Sequence, residues 1–189
     1  MEYPEQLGIT LDPEHDGLTH INVYSKAKTP LGKRLSHFST YPFEHPTDGR
    51  FDTMEGYWMW LDSGCVHDEF RSMSGFNAKF HGRTVKRERK EGFKKKVIVA
   101  NCVKLVTHPT ILEEFLQSTL PLVHYYIKRN RAGQPYVSPA NNSLWVIKSL
   151  EKLRAEGKPF IRNLLLEAFG ESYVSRYDNI LLDKESGND

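Results

Sequence analysis

The sequence predicts a mixed α+β chain, predominantly helical, with a few short strands, and three observations carry that expectation. Residues 93–106 place apolar side chains at 93, 97, 98, 102, 105 and 106, the spacing of one helix face. Leu144, Val146, Ile147, Leu150 and Leu153 describe a long helix with Pro139 in its first turn and Gly157 as its stop. Strand character is confined to residues 21–24, which alternate, and to an extended stretch at 120–127.

The remaining elements follow in order. Residues 1–19 are rich in Pro, Asp and Gly and read as an ordered but irregular arm. The stretch 30–38, Pro-Leu-Gly-Lys-Arg-Leu-Ser-His-Phe, reads as a loop supplying cations, hydroxyls and a ring. A helix is expected at 53–61, with Asp52 as N-cap, and another at 66–73 after the Ser63-Gly64 break. A short helix is expected at 77–85, and His108-Pro109-Thr110 starts one running to Phe115. A polar loop spans 128–135, a last helix 159–169, and 184–189 is a disordered tail. The expected organisation is therefore an arm (1–19), one domain (20–157), a C-terminal helical extension packed on it (158–183) and the tail.

Composition narrows the function classes. The chain has 189 residues, 39% hydrophobic and 26% charged, with a net charge of +2, a globular balance sized for one domain. No run approaches the roughly 20 apolar residues of a membrane helix, and the acidic N-terminus lacks the features of a signal peptide, so a cytoplasmic protein with no membrane partner is expected. Cys65 and Cys102 are far apart and read as two reduced thiols. The histidines show neither HxxxH nor HExxH spacing, so no metal and no cofactor are expected.

Residues 21–61 are the densest in chemistry, because they put Glu55 beside Tyr24, Phe38, Tyr57, Trp58 and Trp60 and beside the cations Lys26, Lys33 and Arg34. Glu55 admits two roles. It lies three residues after Asp52, the spacing of a capping box worth on the order of 1 kcal/mol. It can equally be a desolvated carboxylate acting as general base or stabilising an oxocarbenium-like sugar cation. Cleaving an N-glycosidic bond needs little else: a ring such as Phe38 or Trp58 to stack on the base, and cations for phosphates. Lys79 and Arg83 lie four apart, on one helix face or as a plain surface pair, and Asn142 reads equally as a neighbour of a helix cap.

The order of these pieces resembles the NADAR family, also called YbiA-like. The resemblance rests on Tyr24-Ser25, Leu35-Ser36-His37-Phe38, Pro42-Phe43 and Thr53-Met54-Glu55-Gly56-Tyr57, and continues in Ala78-Lys79-Phe80-His81-Gly82-Arg83 and Asn142-Ser143-Leu144. Its opening and its Glu-Gly-Tyr-Trp helix look like the phage-encoded branch, which would place the protein in a host cytoplasm. The resemblance implies a single YbiA-like domain and an N-glycosidase-type hydrolase acting on ADP-ribose attached to a guanine base or on ribosylated pyrimidine intermediates. It puts Glu55 in the catalytic position and Tyr24, Ser25, Lys26, Arg34, Ser36, Phe38, Tyr57, Trp58, Lys79, Arg83 and Asn142 around the substrate. His37 and Gly56 stand where many members have Asn and His, and the family's later Trp-containing segments have no clear match. A non-catalytic nucleotide-binding or host-interaction phage protein of the same fold is the alternative.

Residues 86–96 carry seven cations against two carboxylates. Such a run is a solvated face or a weak, sequence-independent contact with DNA phosphates. With the latter, the expected partner is an ADP-ribosylated or nucleotide substrate.

Overall fold

The computed structural model describes residue 8 and residues 10–182. Helices dominate, and the strands form three separate two-stranded sheets. The expected tail at 184–189 lies outside the described residues.

The described part of the arm is tied to the domain by one carboxylate. Asp16 accepts from the Asn22 amide at 2.9 Å and the Lys28 amide at 2.7 Å. Strand β1 (Ile21–Asn22) then pairs in parallel with β4 (Leu122–Val123). Asn22 fastens this pair further, its side chain donating to the Tyr125 carbonyl at 3.2 Å and accepting from the Tyr125 amide at 3.1 Å.

The expected loop at 30–38 begins instead with a helix, α1 (Pro30–Leu35). Thr29 caps it through the Gly32 amide and Pro30 occupies its first turn, so local capping outweighs the Gly in a six-residue helix. An unforeseen hairpin follows, β2 (Thr40–His45) against β3 (Gly49–Thr53). Pro42 sits where its register shifts, a place in a strand that needs no N–H.

Helix α2 (Met54–Asp62) starts one residue later than expected, and its cap is Thr53, not Asp52. The Thr53 hydroxyl accepts from the Gly56 amide at 3.0 Å and donates to the Met73 carbonyl at 3.2 Å. Asp52 belongs to β3 and pairs with Arg50. A Cβ on Gly56 would collide with the Phe70 carbonyl, so this position needs glycine for close packing.

The expected helix at 66–73 is a single 3₁₀ segment, Asp68–Ser72, which leads into α3 (Gly75–His81). Helices α4 (Phe93–Thr107) and α5 (Pro109–Gln117) match the sequence pattern closely. The extended stretch is split into β4 and β5 (Tyr125–Arg129), and the expected polar loop contains the turn of a hairpin that returns as β6 (Pro135–Pro139). Pro139 therefore ends a strand, and α6 (Leu144–Phe169) begins five residues later. Gly157, at φ 69 and ψ −160, breaks α6 into two helical pieces, as the expected stop at that residue requires. Short helices α7 (Glu171–Val174) and α8 (Asp178–Leu181) complete the described chain.

Helix α4 is the centre of the core, with residues 99–106 buried on every side. Phe43, Phe51 and Tyr57 pack on one flank and Leu150, Leu153, Ile161, Leu165 and Val174 on the other, all in one cluster. Among the described residues no helix is long and apolar enough to cross a membrane.

Candidate functional site

The parallel β1–β4 pair aligns the two segments that leave it, so Tyr24 emerges beside His124 and Tyr126. Their rings meet edge to face, Tyr24 and Tyr126 at 5.6 Å and His124 and Tyr126 at 4.9 Å. Opposite them stand Ser36, His37 and Phe38, carried past the end of α1, and Glu55 and Trp58, one turn apart on α2. Val146 and Ile147 of α6 contribute to the lining and Lys79 of α3 completes a cavity of about 610 Å³. Gly75 lets α3 approach this closely, because a Cβ there would overlap the Phe38 backbone.

Among the described residues Glu55 is the only carboxylate lining this cavity. Its amide donates to the His37 carbonyl at 2.9 Å, not into a reciprocal cap, which overturns the capping-box role with Asp52. Its side chain is buried, and Oε1 is enclosed against the Lys79 ammonium at 3.2 Å, its one polar neighbour among the described residues. Burial raises the Glu55 pKa above the usual carboxylate range and Lys79 pulls it back down.

The two histidines lining the cavity are held neutral. Burial and the Lys104 charge lower His37 to about 3, and burial lowers His124 to about 4. Asn101 Nδ2 lies 3.4 Å from His37 Nε2, which holds the ring in place. His124 Nδ1 is buried and has no hydrogen-bond partner. Behind this wall Lys104 is buried without a carboxylate, its ammonium donating to the Arg34 carbonyl at 2.6 Å, with the Ser36 carbonyl and Ser39 hydroxyl each at 3.4 Å. Burial lowers its pKa to about 7.

A second, more polar cavity of about 1220 Å³ adjoins the first and shares Trp58, Lys79, Tyr126 and Ser143 with it. Trp145 stacks on Trp58 at 5.5 Å in its wall. Arg87, Arg89 and Lys128 bring cations, Asp62 the carboxylate, and Asn142 an amide. The site is thus a two-chambered cleft.

Of the residues expected around a substrate, Tyr24, Ser36, Phe38, Glu55, Trp58 and Lys79 meet in the inner chamber and Asn142 lies on the outer one. Five do not line either chamber. Ser25 and Lys26 are exposed in the turn after β1, and Arg34 is turned away to Glu114 of α5 at 2.5 Å. Tyr57 lies about 200° around α2 from Glu55, at 100° per residue, and its hydroxyl donates to Asp48 at 2.8 Å in the core. Arg83 falls after α3 has ended at His81, so the expected shared face with Lys79 does not exist and Arg83 stacks on the exposed Phe80. The expected cationic run 86–96 is also dispersed: Lys86 pairs with Glu88, Lys95 with Glu167, and Arg87 and Arg89 with Asp62.

His124, Tyr126, Ser143, Val146, Ile147 and Asp62 escaped the sequence reading. For Asp62 a signal existed: Glu55, Trp58 and Asp62 follow i, i+3, i+7 and share one helix face. The others are brought in by sheet pairing and by α6, which local sequence does not encode. Among the described residues no group of three His, Cys, Asp or Glu side chains is placed to hold a metal ion.

Family models, curated proteins and solved structures were all compared with the chain, and none gives a significant match.

Proposed function

We propose that the chain is an N-glycosidic bond hydrolase acting on an ADP-ribosyl or ribosylated base or nucleotide, in a YbiA-like domain, with Glu55 as its key carboxylate. The observation that carries this reading is the buried Glu55 carboxylate, paired with Lys79, in a cavity walled by Tyr24, Phe38, Trp58 and Tyr126. Flat rings on two sides suit a stacked base, at roughly 1–3 kcal/mol per ring. A carboxylate between them suits the positive charge that develops at C1′ of a ribose as the bond to the base lengthens.

In this scheme Glu55 ionises with the help of Lys79, takes a proton from a water attacking C1′, and Lys79 keeps it in position. The departing base takes up the proton that Glu55 removed from the water, beside the neutral His124 ring in the cavity lining. The resemblance to the NADAR family selects the bond type, and an ADP-ribose-related substrate is favoured because the outer chamber has room and cations for phosphates. Incubating the protein with ADP-ribosylated guanine DNA, free ADP-ribose and NAD, and following base release by chromatography, tests it. Release from one substrate, abolished in Glu55→Gln, is expected; no release from any of them refutes it.

The second reading, a non-catalytic nucleotide-binding or host-interaction protein of the same fold, is favoured by the Lys79 contact, which already neutralises Glu55. Ligand binding without base release supports this alternative.

A further inference from the structure

The outer chamber is not needed to hold a base and a ribose, yet it is the larger and more polar half of the cleft. Its cations come from three separate elements: Lys79 from α3, Arg87 and Arg89 from the irregular segment before α4, and Lys128 from β5. Asp62, at the end of α2, is the carboxylate in its lining, so the chamber walls carry four cations against one carboxylate. The Glu88 amide donates to the Asp62 carbonyl at 2.8 Å, which fastens the segment across the end of the helix.

The two arginines are held differently. Arg89 is an anchor: its guanidinium lies 2.7 Å from Asp62 and 4.0 Å from the Phe93 ring centroid. Arg87 is 70% exposed, and its 3.5 Å approach to Asp62 is loose. Lys128 lies over the Tyr126 ring and has no ion-pair partner among the described residues. Arg87 and Lys128 are therefore cations facing a cavity with little to hold them there but solvent, and an incoming anion can recruit both.

We infer that the outer chamber is an anion subsite for a compact polyphosphate, a pyrophosphate group, with Arg87 and Lys128 as its ligands and Asp62 and Arg89 as the frame that positions them. Shape and charge distribution favour this over a nucleic-acid strand. A strand needs an open stripe of cations, whereas here Lys86 and Lys95 are paired with Glu88 and Glu167, and Lys94 lies over Trp145. What remains is a recessed pocket with room for two adjacent phosphates between Arg87 and Lys128. The subsite extends the functional reading above, since it places the phosphates of a substrate whose base lies between the inner rings. Its test, however, needs no turnover.

Inorganic pyrophosphate, without divalent metal, is titrated into the protein by calorimetry and by thermal shift. The variants are Arg87→Ala, Lys128→Ala, the double variant, and Lys95→Ala, a cation outside the chamber. Each exposed cation removed from the chamber is expected to weaken binding about 10- to 100-fold, from the usual strength of hydrogen bonds to charged groups. The double variant should abolish binding, and Lys95→Ala should keep it within about threefold. Absence of pyrophosphate binding by the native protein, or undiminished binding by the folded double variant, overturns the subsite. Tighter binding of a single-stranded oligonucleotide than of pyrophosphate, with a steep salt dependence, overturns the choice of ligand. Pyrophosphate binding with no base release leaves the subsite standing and removes the hydrolase reading; the converse removes the subsite alone.

Discussion

Lys104→Met should change how stability depends on pH, and by an amount that the burial of Lys104 sets. The amine has an ordinary pKa of 10.5 when unfolded and about 7 when folded, because no carboxylate offsets its loss of water. Between those values the unfolded chain carries a proton that the folded chain does not, so folding is penalised as pH falls through that window and favoured as it rises. At about 1.4 kcal/mol per pH unit, the native protein should gain roughly 2–3 kcal/mol between pH 7 and pH 9 from this group alone. For a chain of this size that is on the order of 5–10 °C in melting temperature. Melting both proteins at pH 7 and pH 9 and subtracting cancels every other titrating group. Met leaves the Arg34 and Ser36 carbonyls without their donor, which lowers stability at both pH values but not the difference between them. Parallel melting curves would show that Lys104 titrates as an exposed amine, and its isolation behind the His37 wall would then carry no energetic weight.

Glu55→Gln should lower turnover about 10²- to 10⁴-fold while unfolding free energy falls by no more than ~1 kcal/mol, since the amide keeps the volume and removes a costly buried charge; chemical denaturation and base release measured side by side check this. Gly56→Ala should destabilise by about 1–3 kcal/mol through overpacking against the Phe70 carbonyl, and a urea midpoint equal to native would refute that contact. Acid should destabilise the fold well above the carboxylate range. His37 (about 3), His45 (about 4) and His124 (about 4) each bind a proton unfolded, at the ordinary imidazole pKa of 6.5, before they bind one folded, so stability falls as pH drops below 6.5. Urea midpoints at pH 7 and pH 5 measure the loss, and equal midpoints would mean these rings are solvated.

Helices were legible where periodicity is long or capping is strong. Residues 93–106 and the 144–153 stripe show a core-facing period, and Gly157 interrupts a helix at the residue that its conformation requires. Both hairpins escaped, because β2 carries Pro42 at a register shift and β6 is bracketed by Pro135 and Pro139, signals that locally argue against a strand. The Asp52 error has a similar origin: Asp and Thr are both good caps, and only the end of β3 decides between them. Within the site, Glu55 and Trp58 share a helix face that spacing predicts, and the same spacing rejects Tyr57, which the aromatic richness of the segment and the resembling motif had recruited. His124 and Tyr126 owe their place to a pairing across a hundred residues.

That pairing gives the cleft an unusual folding requirement. Ile21 meets Leu122 and Asn22 meets Val123, two residues on each side closing a loop of about a hundred. Closing a loop of that length costs conformational entropy before any contact forms, and two ladder positions return little of it. What offsets that cost is burial and side-chain bonding: Asn22, Leu122, Val123 and Tyr125 are almost wholly buried, and the Asn22 side chain bonds the Tyr125 backbone twice. A ligand spanning both walls would act as a clasp on two segments about a hundred residues apart, adding one more contact across the β1–β4 seam.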